Sequence, residues 1–264
     1  MPPVNRYLIV FSLLLSLTGT AIYAKEGDAP GTTKNTNTPT SSAKGLLMLP
    51  RTAQRLKDHQ ALRVVCYGDS ISEVGRSPQW HGGATTPAAN WGQQLGVLLH
   101  AAYPGSEITV LNFGIGGQNA YEGLGRLDAL GPLKPDLVLL EFGANDCCYH
   151  FLQPAETRLA LATLAQWTKE RYGADVMIVG CGGDNPLDPF FVHLDDTLTA
   201  SRQAAADAGV PFVDMRAAVL QATDGGKRWT DFHNGAKNCH PNDRGHRVWA
   251  ETVLTAINQC ILAQ

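Results

Sequence analysis

The sequence lacks a charge excess of either sign. Its 21 lysines and arginines face 24 aspartates and glutamates, for a formal net charge of −3 over 264 residues. That balance argues against nucleic acid as the main partner, because phosphate neutralisation needs a basic patch. Aromatic residues make up only 8% of the chain, so no base-stacking platform stands out. Long hydrophobic runs are missing as well. The most apolar stretch, Tyr7 to Leu17 (YLIVFSLLLSL), has 11 residues and is too short to span a bilayer. No CxxC spacing occurs among the six cysteines, which removes a zinc ribbon, and no metal or organic cofactor is expected.

The short apolar run fits a different purpose. Arg6 precedes it as a positive n-region, and AIYA before Lys25 offers a small-residue cleavage site. Residues 1–24 therefore read as a secretory signal peptide, with an uncleaved anchor as the alternative. The protein is expected to be exported, periplasmic or extracellular, with no stable membrane span after cleavage. Residues 25–45 (KEGDAPGTTKNTNTPTSSAKG) hold no apolar periodicity and read as a disordered linker. One domain is expected over residues 46–264. Nothing in the sequence sets an oligomeric state.

Within that domain, five short, nearly continuous apolar runs end at or near glycine: 62–67, 108–113, 136–142, 175–180 and 210–215. Such runs mark strands buried on both faces. Helical spacing appears between them, at Asn90 to Ala102, Pro154 to Tyr172, Leu194 to Ala208 and Arg244 to Leu262. Alternation of this kind predicts an α/β fold, a three-layer α/β/α sandwich around about five parallel strands. Ligands of open parallel sheets bind at the carboxyl ends of the strands.

Those ends carry chemistry. Gly68-Asp69-Ser70 follows the first run, Gly114-Ile115-Gly116-Gly117 the second, and Gly143-Ala144-Asn145-Asp146 the third; His240-Pro241-Asn242 comes late. A hydroxyl, glycine-rich backbone, an amide and an imidazole are the parts of an acyl-transfer site. Each has a plain structural alternative: Ser70 as a helix cap, Asn145 as a turn residue, His240 as a loop histidine. Asp69 and Asp146 are expected to brace their turns through backbone amides. A dinucleotide site on GIGGQN fails, because Asn119 stands where the third glycine of G-x-G-x-x-G belongs.

The four blocks VVCYGDSISE (64–73), VLNFGIGGQNA (110–120), LLEFGANDC (139–147) and CHPNDRGH (239–246) resemble the SGNH hydrolase superfamily of GDSL-type esterases and lipases. The resemblance covers roughly residues 60–262 and implies a flavodoxin-like fold. It also implies a serine esterase with Ser70 as nucleophile and His240 as base. The oxyanion hole would be formed by Ser70, Gly117 and Asn145. The family's acid stands three residues before the histidine, where this chain has Lys237. Three explanations stay open: Asp231 as a distant acid, a Ser-His dyad oriented by a backbone carbonyl, or a weak enzyme or glycan binder. Asp243 is expected to start the last helix. His233 is expected in a solvated or capping loop role, and His246 as a structural residue. Cys239 is expected to bond to Cys147 or Cys148, with a metal site of these thiols and His150 as the lesser alternative. The expected substrate is a small-molecule or polysaccharide ester, with short acyl or acetyl groups on carbohydrate preferred to lipid. Trp80, His81 and Trp91 are candidates to line a sugar cleft, although Trp91 also suits the core.

Overall fold

A computed structural model describes residues 48–148 and 152–262. The signal and linker expected for residues 1–45 lie outside the described residues, as does His150. The described residues fall within one compact unit.

Five parallel strands form one sheet: β1 (Leu62–Gly68), β2 (Ile108–Asn112), β3 (Leu137–Glu141), β4 (Asp175–Val179) and β5 (Phe212–Val213). Their order is β2-β1-β3-β4-β5. The helices are α1 (Pro50–Lys57), α2 (Trp91–Ala102), α3 (Ala120–Gly125), α4 (Ala144–Cys148), α5 (Pro154–Tyr172), α6 (Leu194–Ala208), α7 (Met215–Ala222) and α8 (Asp243–Leu262). The three-layer expectation holds, because both faces of the sheet are covered.

The alternation along each strand divides the core. Val64, Leu137, Leu139, Met177 and Val179 face one layer, with Trp91, Leu95, Trp249 and Val253 of α2 and α8. Val65, Tyr67, Val138, Leu140 and Ile178 face the other, with Leu161 and Leu164 of α5 and Ala204 of α6. Complete burial of such a side chain contributes about 1.5–3 kcal/mol, so the near-continuous apolar runs are the sequence signature of two covered faces. β5, at the edge, keeps only two residues of its six-residue run.

The strand order sets the site. The chain leaves β1 to one side for β2 and returns to the other side for β3. That reversal opens a crevice between the carboxyl ends of β1 and β3, the usual ligand position in this topology. β1 and β3 pair from Val64↔Leu137 to Gly68↔Glu141. The segments after them, Asp69-Ser70 and Phe142 to Asn145, therefore emerge side by side. No helix among the described residues is long and apolar enough to cross a membrane.

Candidate active site

Ser70 sits in the turn directly after β1. Asp69 accepts the Ile71 backbone N–H through Oδ1 at 2.9 Å, which braces the turn as expected. The other side chains arrive from distant segments. Ser70 Oγ lies 2.9 Å from His240 Nε2, across 170 residues of chain. Ser70, Asn145 and His240 line one cavity of about 270 Å³, together with Phe190, Phe191 and Cys239.

The Nδ1 side of the imidazole faces neither Asp231 nor a backbone carbonyl. Asn238 Oδ1 lies 2.9 Å from His240 Nδ1 and also accepts the His240 backbone N–H at 2.9 Å. The second bond fixes the amide's orientation, since a backbone N–H can only donate. With an acceptor oxygen at Nδ1, that nitrogen carries the proton, and Nε2 is left to accept from the Ser70 hydroxyl. The Trp229 indole N–H donates to the Asn238 carbonyl at 3.0 Å and holds the segment. Burial pushes the His240 pKa down, which favours the neutral ring.

Asp231 is elsewhere. Its partly exposed carboxylate pairs with Arg228 Nε at 2.9 Å on the 3₁₀ turn Trp229–Asp231. Lys237, in the position of the family's acid, pairs with Asp188 at 3.1 Å and lines the same cavity. Asp243 starts α8 and accepts Thr85 N–H at 2.8 Å and Thr85 Oγ–H at 2.6 Å. Asn238 was missed at the sequence level, yet its signal was present. An asparagine whose side chain bonds the backbone two residues on is an Asx turn, and here that turn brings the amide to the imidazole.

The glycine block lies beside Ser70. A β-carbon on Gly116 would stand 2.7 Å from Glu73 Oε2 and 3.6 Å from Ser70 Cβ, so a side chain there would displace the Glu73 carboxylate. Glu73 Oε2 accepts the Gly116 N–H at 2.9 Å and fixes the loop. Gly117 follows at φ +81°, a conformation that favours glycine. Asn145 is buried, and one of its amide hydrogens is given to the Gln118 carbonyl at 2.9 Å. That bond ties the β3 and β2 loops together and orients the second amide hydrogen. Arg126, also unread in the sequence, donates to the Gly68 and Phe113 carbonyls at 2.9 and 3.0 Å. It lies over the Tyr67 ring at 4.0 Å and so clamps the ends of β1 and β2.

Of the three candidate cleft residues, only Trp80 reaches the site. Its indole N–H donates to the Ser70 carbonyl at 3.2 Å, and its ring meets the His240 ring edge to face at 4.9 Å. Trp91 is core, packed against Trp249, and His81 is buried. His233 corrects the expectation of a solvated loop residue. It is buried, lies flat against Trp229 at 3.6 Å, and burial pushes its pKa down to about 4. His246 is structural: Nδ1 accepts the Trp91 N–H at 3.2 Å and Nε2 lies 3.1 Å from the Gly82 carbonyl.

The cysteine pairing is corrected too. Cys239 and Cys147 are thiols, so the bond expected from Cys239 to Cys147 or Cys148 is not formed. Cys147 instead turns its sulfur to the Ala144 carbonyl at 3.5 Å and against Cys181, in a small core with Phe191 and Leu194. Burial pushes the Cys239 thiol pKa up, away from reactive thiolate. Among the described residues, no group of three or more His, Cys, Asp or Glu side chains could hold a metal.

Comparison with solved structures finds the same fold in other proteins. A two-domain esterase (CEX) active on acetylated mannans superposes with a TM-score of 0.65 at 20% identity, over 81% of this chain and 53% of that one. The chain thus spans about half the length of that relative. Axe2, an acetylxylan esterase from Geobacillus stearothermophilus, gives 0.60 at 24% identity, over 75% of this chain and 93% of that one. LAE5, an alpha/beta hydrolase from the metagenome of Lake Arreo, Spain, gives 0.58 at 22% identity, over 76% and 95%. Comparison with curated protein sequences returns no match. The model of the GDSL-like Lipase/Acylhydrolase family matches residues 66–248, from β1 into α8, and so contains Ser70, Gly117, Asn145 and His240. The chain belongs to that family of carboxylic ester hydrolases.

Proposed function

We propose that this protein is an exported serine esterase that removes short acyl groups, acetyl above all, from carbohydrate. The observation that carries the reading is the chain Ser70 Oγ to His240 Nε2 at 2.9 Å, then His240 Nδ1 to Asn238 Oδ1 at 2.9 Å. A nucleophile, a base of fixed tautomer and an orienting acceptor are the elements of acyl-enzyme catalysis, and Cys-His-Asn enzymes show that a neutral amide can fill the third role. His240 takes the Ser70 proton as Oγ attacks the ester carbonyl. The oxyanion is held by the Ser70 and Gly117 N–H groups and the second amide hydrogen of Asn145. His240 then protonates the leaving alkoxide and activates water to release the acid. In this reading Asn238, and not Asp231, is the third member.

The substrate class rests on the cavity and on Trp80. A space of about 270 Å³ walled by Phe190 and Phe191 suits a short acyl chain better than a fatty one. Trp80, edge to face with His240 and half-buried, offers an aromatic surface beside Ser70 for a sugar ring. The acetylated-mannan and acetylxylan activities of two structural neighbours agree with this choice. Export rests on the n-region and h-region pattern of residues 6–17. The test is turnover of p-nitrophenyl acetate and acetate release from acetylated xylo- and manno-oligosaccharides. Wild type is expected to act on both, with Ser70→Ala and His240→Ala each losing at least about 10³-fold. Equal or greater rates on p-nitrophenyl palmitate would overturn the carbohydrate assignment, and Ser70-independent turnover would overturn the mechanism.

A further inference from the structure

We propose that Asp69 and Glu141 share one proton, held between Asp69 Oδ2 and Glu141 Oε1, and that this pair is the positioning element joining the Ser70 turn to the segment that carries Asn145. Both residues are completely buried. Each has one oxygen already bonded: Asp69 Oδ1 accepts the Ile71 N–H at 2.9 Å, and Glu141 Oε2 accepts the Ser72 hydroxyl at 2.8 Å. The remaining oxygens, Asp69 Oδ2 and Glu141 Oε1, are buried with no hydrogen-bond partner. The two side chains lie within hydrogen-bonding reach of each other. Two buried acceptors left without partners on neighbouring carboxyls are costly, whereas one proton between them makes a single charge-assisted O–H···O bond.

The surroundings favour that proton. Asp146 of α4, Cys181 after β4, Cys66 of β1 and Cys239 of the histidine loop act on the pair or are acted on by it, and none is cationic. Arg126, which reaches the Gly68 carbonyl, is taken up by three acceptors and the Tyr67 face. Two carboxylates this close without a cation do not both ionise. Burial pushes both pKa values up; the Asp69 charge then raises Glu141 further and the Asp146 charge raises Asp69, while the hydrogen bond to Glu141 holds Asp69 down.

The position gives the pair its role. Gly68 and Glu141 are register partners, and the Asp69 N–H donates to the Glu141 carbonyl at 3.2 Å. The shared proton therefore bolts the ends of β1 and β3 together at the crevice. Through Ile71 and Ser72 it also grips the turn that aims Ser70. Loss of the proton at alkaline pH places a second negative charge beneath the oxyanion site and breaks the bolt. Activity then falls through a one-proton step that does not belong to His240.

The kinetic half rests on the esterase reading, while the proton itself does not, so the test has two arms. Difference infrared spectra of the Ser70→Ala protein between about pH 5 and 9 read the protonated carboxyl C=O band directly. The expected result is a band that persists after exposed acids have ionised, is absent in Glu141→Gln and is shifted in frequency in Asp69→Asn, where Glu141 keeps its proton but loses its partner, with Asp146→Asn identifying the Asp146 contribution. Superposable spectra for Ser70→Ala with and without Glu141→Gln would overturn the shared proton. In the second arm, the alkaline limb of kcat/KM for p-nitrophenyl acetate should move up by about one pH unit or more in Glu141→Gln. Glu141→Leu should lose about tenfold or more in kcat with KM little changed, and Gln should restore most of that loss. An unmoved alkaline limb, in a Gln variant that has lost the infrared band, would overturn the positioning role. A chain with no esterase activity would defeat the functional reading and leave the infrared arm to decide the proton.

Discussion

At the scale of residues, the proposed mechanism turns on a neutral amide where an anion is usual. Asn238 fixes the His240 tautomer as a carboxylate would, but adds no charge to stabilise the imidazolium. Two outcomes follow from that difference. Asn238→Ala should lower kcat about 10²-fold or more, because the ring loses the acceptor that orients it. Asn238→Asp should raise the His240 pKa, so the acid limb of the kcat/KM profile moves to higher pH by about one unit. A pH–rate profile of each variant checks both. Asp231→Asn should change the rate less than about twofold, since its carboxylate is committed to Arg228 on the surface. The sequence alone could not choose among these partners. Spacing from His240 pointed to Lys237, while charge pointed to Asp231. The Asx turn of Asn238 is a local hydrogen bond with no periodic signature, legible only once the backbone is placed.

At the scale of elements, the strands were more legible than the short helices. β1, β3 and β4 are buried on both faces along nearly their whole length, so their apolar runs are continuous. The long helices α5, α6 and α8 repeat often enough to show a period. α3 and α7 have six and eight residues, too few for one, although the Asn119–Glu122 capping box at the start of α3 is a readable sign. What joins these elements is buried polar chemistry. Asp146 of α4 accepts the Ala120 N–H that opens α3, at 3.3 Å, and the Thr157 hydroxyl of α5 at 3.1 Å. Burial pushes its pKa up to about 6, and the bonds hold it lower than burial alone would. Asp146→Ala leaves both donors unsatisfied and should lower the unfolding free energy by about 2–3 kcal/mol, measured by urea denaturation.

At the scale of the whole molecule, buried titrating groups of opposite kind shape stability against pH. His233 and His246 are held neutral, each with a pKa pushed down to about 4 by burial. Their folded values lie below the unfolded one, so the folded state binds fewer protons and stability is lost as pH falls from about 6.5 towards 4. Asp69, Glu141 and Asp146 run the other way, with folded values above unfolded ones. Their folded state binds more protons, and stability is lost as pH rises from about 4 through those folded values. Glu141→Gln removes one such proton. Its stability relative to wild type should therefore climb with pH at about 1.4 kcal/mol per unit above pH 4, until the folded pair ionises. A constant difference across that range would contradict it.

The central claim is that Ser70 is the one activated nucleophile, and intact-mass analysis after exposure to a fluorophosphonate tests it most directly. The account predicts a single adduct, mapped to the peptide containing Ser70, formed faster at pH 8 than at pH 5 and abolished in both Ser70→Ala and His240→Ala. An adduct that survives Ser70→Ala, or wild-type protein left unmodified, would contradict it.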